Sequence, residues 1–155
     1  MNEGKVKKCP IMLGVNKDEA NWFYIYSYPE YRDLKVEPKL TYSLYKDFVK
    51  SLFHFYPQFP TIANQKIIDA IIYRYSFWDN VHNRRKNIEL LDDAAADYHF
   101  ICPALDMAST FAMNRQDVFF YHFTQRASNH MWPDYFGVLH ADEIQFTFGQ
   151  PLYKK

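Results

Sequence analysis

The sequence predicts an α/β architecture with two parallel strands joined by helical crossovers. Three observations carry this. Ile11 to Val15 is a short apolar run containing Gly14, as expected of a strand buried in a parallel sheet. Asp117 to Thr124 brings Val, Phe, Phe, Tyr, His and Phe together, a strand by β-propensity. Between them lie segments with helical spacing, and parallel strands so separated require a crossover.

The elements follow in order. After the first strand, Lys17 to Tyr26 reads as a turn and then a short aromatic helix, and the polar stretch from Pro29 to Lys39 as loop. Thr41 can cap a helix carrying Tyr45, Phe48, Val49 and Leu52 near helical spacing. Pro57 and Pro60 end it. A second helix is expected from about Thr61 to Tyr75, with Ile67, Ile68, Ile71 and Ile72 on one face. Asp79 to Lys86 reads as loop. Asn87 to Met113 reads as one long helix, bent at Pro103, whose ring nitrogen cannot donate. After the second strand, Gln125 to Leu139 has no period, and a loop of that length in a compact fold is usually functional or disordered. A final helix is expected to begin near His140.

Bulk properties narrow the classes. At 155 residues the chain is one domain or part of one. Its 18 basic and 18 acidic residues cancel, so nothing favours nucleic acid. No apolar run approaches the roughly 18 residues that span a membrane, and Asn2, Glu3 and Lys5 do not form a signal peptide. Aromatic residues reach 19%, with 13 Tyr and 14 Phe, most of them expected to fill a core. His54, His82, His99, His122 and His130 show no metal-ligand spacing and receive no chemistry. Cys9 and Cys102 could pair only if their Cα atoms came close, which sequence does not reveal.

Three blocks carry chemistry. Phe136-Gly-Val-Leu-His-Ala-Asp-Glu-Ile-Gln-Phe-Thr-Phe-Gly-Gln-Pro-Leu152, with Gln125-Arg-Ala-Ser-Asn-His-Met-Trp-Pro-Asp134 upstream, places a histidine at the end of a turn-rich segment. Such an imidazole can take and return a proton near neutral pH. Ile11-Met-Leu-Gly-Val-Asn-Lys-Asp-Glu-Ala-Asn-Trp-Phe23 puts carboxylates just past a strand, where α/β folds gather functional groups. Asp97-Tyr-His-Phe-Ile-Cys-Pro103 lies between. Together, in this order, the blocks resemble the cholinesterases, type-B carboxylesterases of the α/β-hydrolase class. The resemblance runs from Ile11 to Leu152. Members of that family are several times longer, so it implies that residues 1–155 form a partial α/β-hydrolase domain, a C-terminal segment with two parallel strands and several helices.

The resemblance implies roles residue by residue. Glu19 is the triad acid, accepting a hydrogen bond from Nδ1–H of His140, which carries protons between a serine and the leaving alcohol. The order acid then histidine is that of α/β-hydrolases. Trp22 and Phe23 match aromatics near the choline and acyl sites, Tyr26 one at the gorge mouth, and Trp132 one in the gorge wall. Core packing remains open for Phe23, and loop pinning for Trp132. Glu143 matches a buried glutamate that supports the site, or caps the helix after it. Asp18 is expected to be a turn or capping residue. The substrate implied is a small carboxylic ester, a choline ester in the full-length parent, with no metal and no organic cofactor. Such proteins are secreted or anchored outside the cell. Oligomeric state stays open.

Departures from the family matter as much. No Gly-x-Ser-x-Gly elbow and no Gly-Gly run for an oxyanion hole occur among the four glycines. The chain alone is therefore expected not to turn over ester. Ala20, Ala96 and Ala141 stand where the family has glycine, and strain follows wherever that backbone needs positive φ. Asp142 replaces a residue that in some cholinesterases is an aromatic of the choline site. Cys102 matches a cysteine whose partner lies beyond residue 155, so a free thiol is expected. These departures keep a second reading open, a non-catalytic adhesion or binding module of the same family.

Overall fold

In the computed structural model, residues 7–22, 35, 37–54 and 65–153 are described. Phe23 and Tyr26 lie outside them. The chain divides into two units, residues 1–22 with 96–155, and residues 23–95.

The first unit is built on a parallel pair, β1 (Ile11–Asn16) and β2 (Val118–Phe123), registered from Ile11 opposite Val118 to Asn16 opposite Phe123. Gly14 is required there. A Cβ at that position would overlap the backbone carbonyl oxygen and ring of Tyr121 on the neighbouring strand. Past β1 the chain leaves β2. The Lys17 N–H still reaches the Phe123 carbonyl, but the Asp18 N–H donates to Val138, and Asp18 pairs with Leu139 in a short parallel bridge. The strand thus hands its pairing from β2 to the segment that precedes His140. Phe119, Phe120 and Tyr121, successive residues of β2 and so on alternate faces, are all exposed, Phe119 by 57%.

The second unit packs three helices, α1 (Tyr42–His54), α2 (Gln65–Arg74) and α3 (Arg84–Ala96), the last running into the first unit at Ala96. Its core joins Leu40, Tyr45, Phe48, Val49, Ile68, Ile72 and Leu91, of which each aliphatic side chain and Phe48 is worth about 1.5–3 kcal/mol when fully buried. Thr41 caps α1 by accepting the Leu44 N–H. The isoleucines of α2 divide: Ile68 and Ile72 enter the core while Ile67 is exposed. Tyr45 donates its hydroxyl to the Tyr75 carbonyl, and burial pushes its ionisation well above the ordinary phenol range. The fully buried Asn87 amide donates to the carbonyls of Leu40 and Val81, tying the segments before α1 and α3 together.

The structure corrects three boundaries. The expected loop from Asp79 to Lys86 ends early, because the Asn83 side chain accepts the Lys86 N–H and starts α3 at Arg84. The expected single helix to Met113 is three pieces: α3, a π turn over Asp97–Ile101, and α4 (Cys102–Met113). The Cys102 N–H donates back five residues to Asp97, and Pro103 falls in the first turn of α4, where a missing N–H costs little. No helix begins at His140. That residue sits in a turn, and α5 (Ile144–Thr147) and α6 (Gln150–Tyr153) follow. Ala141 is held at φ 74°, which no right-handed helix admits. Gln125 to Leu139 is irregular as expected, apart from a 3₁₀ turn at Asp134–Phe136. Cys9 and Cys102 are both free thiols.

Candidate active site

The site is assembled where β1 ends. The parallel bridge between Asp18 and Leu139 sets the register, so the next residues on each side, Glu19 and His140, fall beside one another. Two devices fix that register. The Asp18 carboxylate accepts the Val138 N–H at 2.8 Å, and Gly137 at φ 72° clears the same carboxylate, which a Cβ would overlap.

Glu19 is buried, its side chain 7% exposed. One carboxylate oxygen accepts the Asn16 N–H at 2.6 Å; the other meets His140 Nδ1 at 2.7 Å. An ionised carboxylate only accepts, so Nδ1 carries the proton and Nε2 is left with its lone pair. The His140 side chain is 46% exposed and has no Nε2 hydrogen bond to a described residue. Trp22 stacks on the imidazole with ring centroids 6.0 Å apart, and Phe100, from the π turn, packs at 4.7 Å. A π turn projects its residues out of helical register, which is how Phe100 reaches the ring.

Asn16 is the hub that sequence reasoning missed. Its side-chain amide donates to Glu143 at 2.6 Å and to the Leu139 carbonyl at 2.7 Å. Glu143 occupies the N-cap of α5 yet makes no capping hydrogen bond through its side chain, which turns to Asn16 instead. Tyr121 senses both carboxylates: burial raises its hydroxyl pKa first, then the charges of Glu143 and Glu19. Only one sequence signal pointed to Asn16, a polar amide closing an apolar strand.

Other predicted residues lie apart from the pair. Trp132 meets Phe136 edge-on at 6.0 Å, and its carbonyl accepts the Arg126 guanidinium. Asp18 makes the turn contacts already described. His130, given no chemistry from sequence, is buried against Asp142, with Nε2 2.7 and 2.8 Å from the two carboxylate oxygens. Of the three glycine replacements, Ala141 alone has positive φ; Ala96 is ordinary right-handed helix. Among the described residues no cluster of His, Cys, Asp or Glu could hold a metal ion, and no helix is long and apolar enough to cross a membrane.

A sequence model of the carboxylesterase family matches residues 1–155. The chain belongs to the carboxylesterase family. Its relatives within that family include cholinesterases. It is 37% identical to an acetylcholinesterase of Bungarus fasciatus over 154 residues, 98% of this chain and 24% of that protein. An acetylcholinesterase of Leptinotarsa decemlineata is 31% identical over 150 residues, 97% of this chain and 23% of that one. A cholinesterase of Mus musculus is 36% identical over 152 residues, 98% and 24%. This carboxylesterase-family chain thus spans about a quarter of the length of these relatives.

Proposed function

We propose that residues 1–155 are the acid-and-histidine part of an α/β-hydrolase domain, and that the assembled domain is a serine esterase of the cholinesterase type acting on choline esters. The observation that carries this reading is the 2.7 Å contact between a buried Glu19 and the Nδ1 of a half-exposed His140. The sheet supports the partial-domain reading. Parallel strands are normally covered on both faces, and a lone pair of strands is marginal; the exposed aromatics of β2 suit a sheet that continues.

The reaction runs through His140 Nε2. It takes the proton of a serine hydroxyl as the oxygen attacks the ester carbonyl, then gives that proton to the departing alcohol. Water repeats the cycle on the acyl-serine. Glu19 holds the ring in the Nδ1–H tautomer and stabilises the imidazolium that forms at each step. Asn16 orients Glu19 through its backbone N–H, and Glu143 orients Asn16. The serine comes from outside these residues, which contain no Gly-x-Ser-x-Gly, so the chain by itself turns over no ester. Trp22 offers a ring face beside His140 to a quaternary ammonium, worth about 0.5–2 kcal/mol. Phe23 and Tyr26 are assigned to the substrate by the family resemblance. Trp132, with its backbone held and its ring on Phe136, serves better as a loop pin than as a gorge wall.

A graft tests this. Residues 11–152 replace the matching segment of one of the cholinesterase relatives, and acetylthiocholine turnover is measured with and without His140→Gln. Turnover that His140→Gln abolishes supports the esterase. A folded graft without turnover assigns the chain to the non-catalytic reading.

A further inference from the structure

We propose that His130 is a positioning residue: through Asp142 it locks the turn that presents His140. The proposal rests on the reading of His140 as the proton carrier. His130 lies ten residues upstream in an irregular loop, and its side chain is 5% exposed. Its hydrogen bonds define its state. Nδ1 accepts the Trp132 N–H at 3.1 Å, while the Trp132 carbonyl, farther away at 3.4 Å, already accepts the Arg126 guanidinium; the proton is therefore placed on Nε2, which faces both oxygens of Asp142. This is the opposite tautomer to that of His140. With both nitrogens engaged and the ring buried, His130 carries no protons in the reaction.

Asp142 transmits its effect. One carboxylate oxygen also accepts the Leu139 N–H at 2.8 Å, while the Asp142 N–H donates to the Leu139 carbonyl at 3.1 Å. These two bonds staple the ends of a four-residue turn whose interior is His140 and Ala141. Ala141 sits at φ 74°, a conformation that an L-residue with a Cβ disfavours. The turn therefore opens unless something holds it, and the staple is rigid only while the carboxylate is anchored from its other side. The His130 ring is that anchor. Without it, Asp142 can rotate away from Leu139, Ala141 can relax, and the imidazole of His140 drifts from Glu19.

The test is imidazole ¹⁵N NMR on the 155-residue chain, well above the ordinary histidine pKa. The native chain shows His130 as the Nε2–H tautomer and His140 as the Nδ1–H tautomer. His130→Leu lowers the Nδ1–H to Nε2–H ratio at His140 severalfold, and His130→Gln, whose amide can reach the same carboxylate, restores it. A purely structural role would lower stability without moving that ratio. Should His130→Leu not fold, Asp142→Ala, which removes the carboxylate that joins the His130 ring to the Leu139 N–H, replaces it and is expected to lower the ratio likewise. Glu19→Gln separates the two readings. If it shifts His140 while the His130 and Asp142 variants do not, positioning by His130 is overturned. If Glu19→Gln leaves His140 unmoved, the proton-carrier reading falls instead.

Discussion

Replacing Glu19 by Gln tests the centre of the site. The native carboxylate makes two charge-assisted hydrogen bonds, to the Asn16 N–H and to His140 Nδ1. Each such bond contributes about 1.5–3 kcal/mol, against about 0.5–1.5 for a neutral one. Gln keeps an oxygen for Asn16, so that bond falls to the neutral range. Its NH₂ then faces Nδ1, so His140 must switch to the Nε2–H tautomer to accept it. The loss on that side is smaller, because the ring is half exposed to water. The sum is a loss of about 1–2 kcal/mol, or roughly 2–8 °C in thermal midpoint for a chain of this size. In an esterase graft the wrong tautomer costs about four orders of magnitude in kcat, the cost seen when a triad acid is neutralised in place. Urea unfolding, imidazole NMR and acetylthiocholine turnover measure the three effects. An unchanged unfolding midpoint together with an unchanged His140 tautomer would refute the geometry argued for Glu19.

Three further substitutions probe the frame. Ala141→Gly relieves the left-handed strain at φ 74° and raises stability by about 1 kcal/mol, read as a higher urea midpoint with unchanged slope. Gly137→Ala drives a methyl group into the Asp18 carboxylate at φ 72° and lowers stability by about 1–3 kcal/mol, measured the same way. His99 gives a pH dependence. Burial lowers its pKa, so the unfolded chain takes up a proton there before the folded chain does. Its contribution to stability is therefore level above the ordinary imidazole value and falls as pH drops through about 6.5. His99→Asn should flatten that acid-side fall between about pH 7.5 and pH 5.5.

The strands and helices were legible because their signals are local. The apolar run at Ile11 and the aromatic run at Val118 each announce a strand, and Tyr45, Phe48 and Val49 recur at helical spacing and form one buried face. What stayed hidden depends on single side chains acting on the backbone. Asn83 starts α3 at Arg84, three residues before the helix expected from Asn87. The π turn before Pro103 leaves the composition of the helix unchanged, yet it shifts Phe100 onto His140. The helix expected at His140 failed for a related reason. Ala141 reads as a helix former, and nothing in its neighbours reveals that Asp142 holds the residues around it in a closed turn.

The candidate pair raises a sharper question, since Glu19 and His140 are 121 residues apart and no spacing rule connects them. Family resemblance named them; register explains why they can meet. Asp18 opposite Leu139 in a parallel bridge leaves Glu19 and His140 as the next residues on adjoining segments. Slip that pairing by one residue and either Asp18 or Ala20 would face the imidazole, the first already committed to the Val138 N–H and the second without a carboxylate. The register is held by Gly137, which has room for the Asp18 carboxylate only because it lacks a Cβ, and by Asn16, whose backbone and side chain bind the two sides at once. The chemistry proposed for Glu19 therefore depends on a glycine and an asparagine outside the proposed acid–histidine pair. Gly137→Ala, if it leaves the chain folded, should weaken the Nδ1–H preference of His140 as well as stability. A variant that loses stability while His140 keeps its tautomer would show that the bridge sets the fold but not the pair.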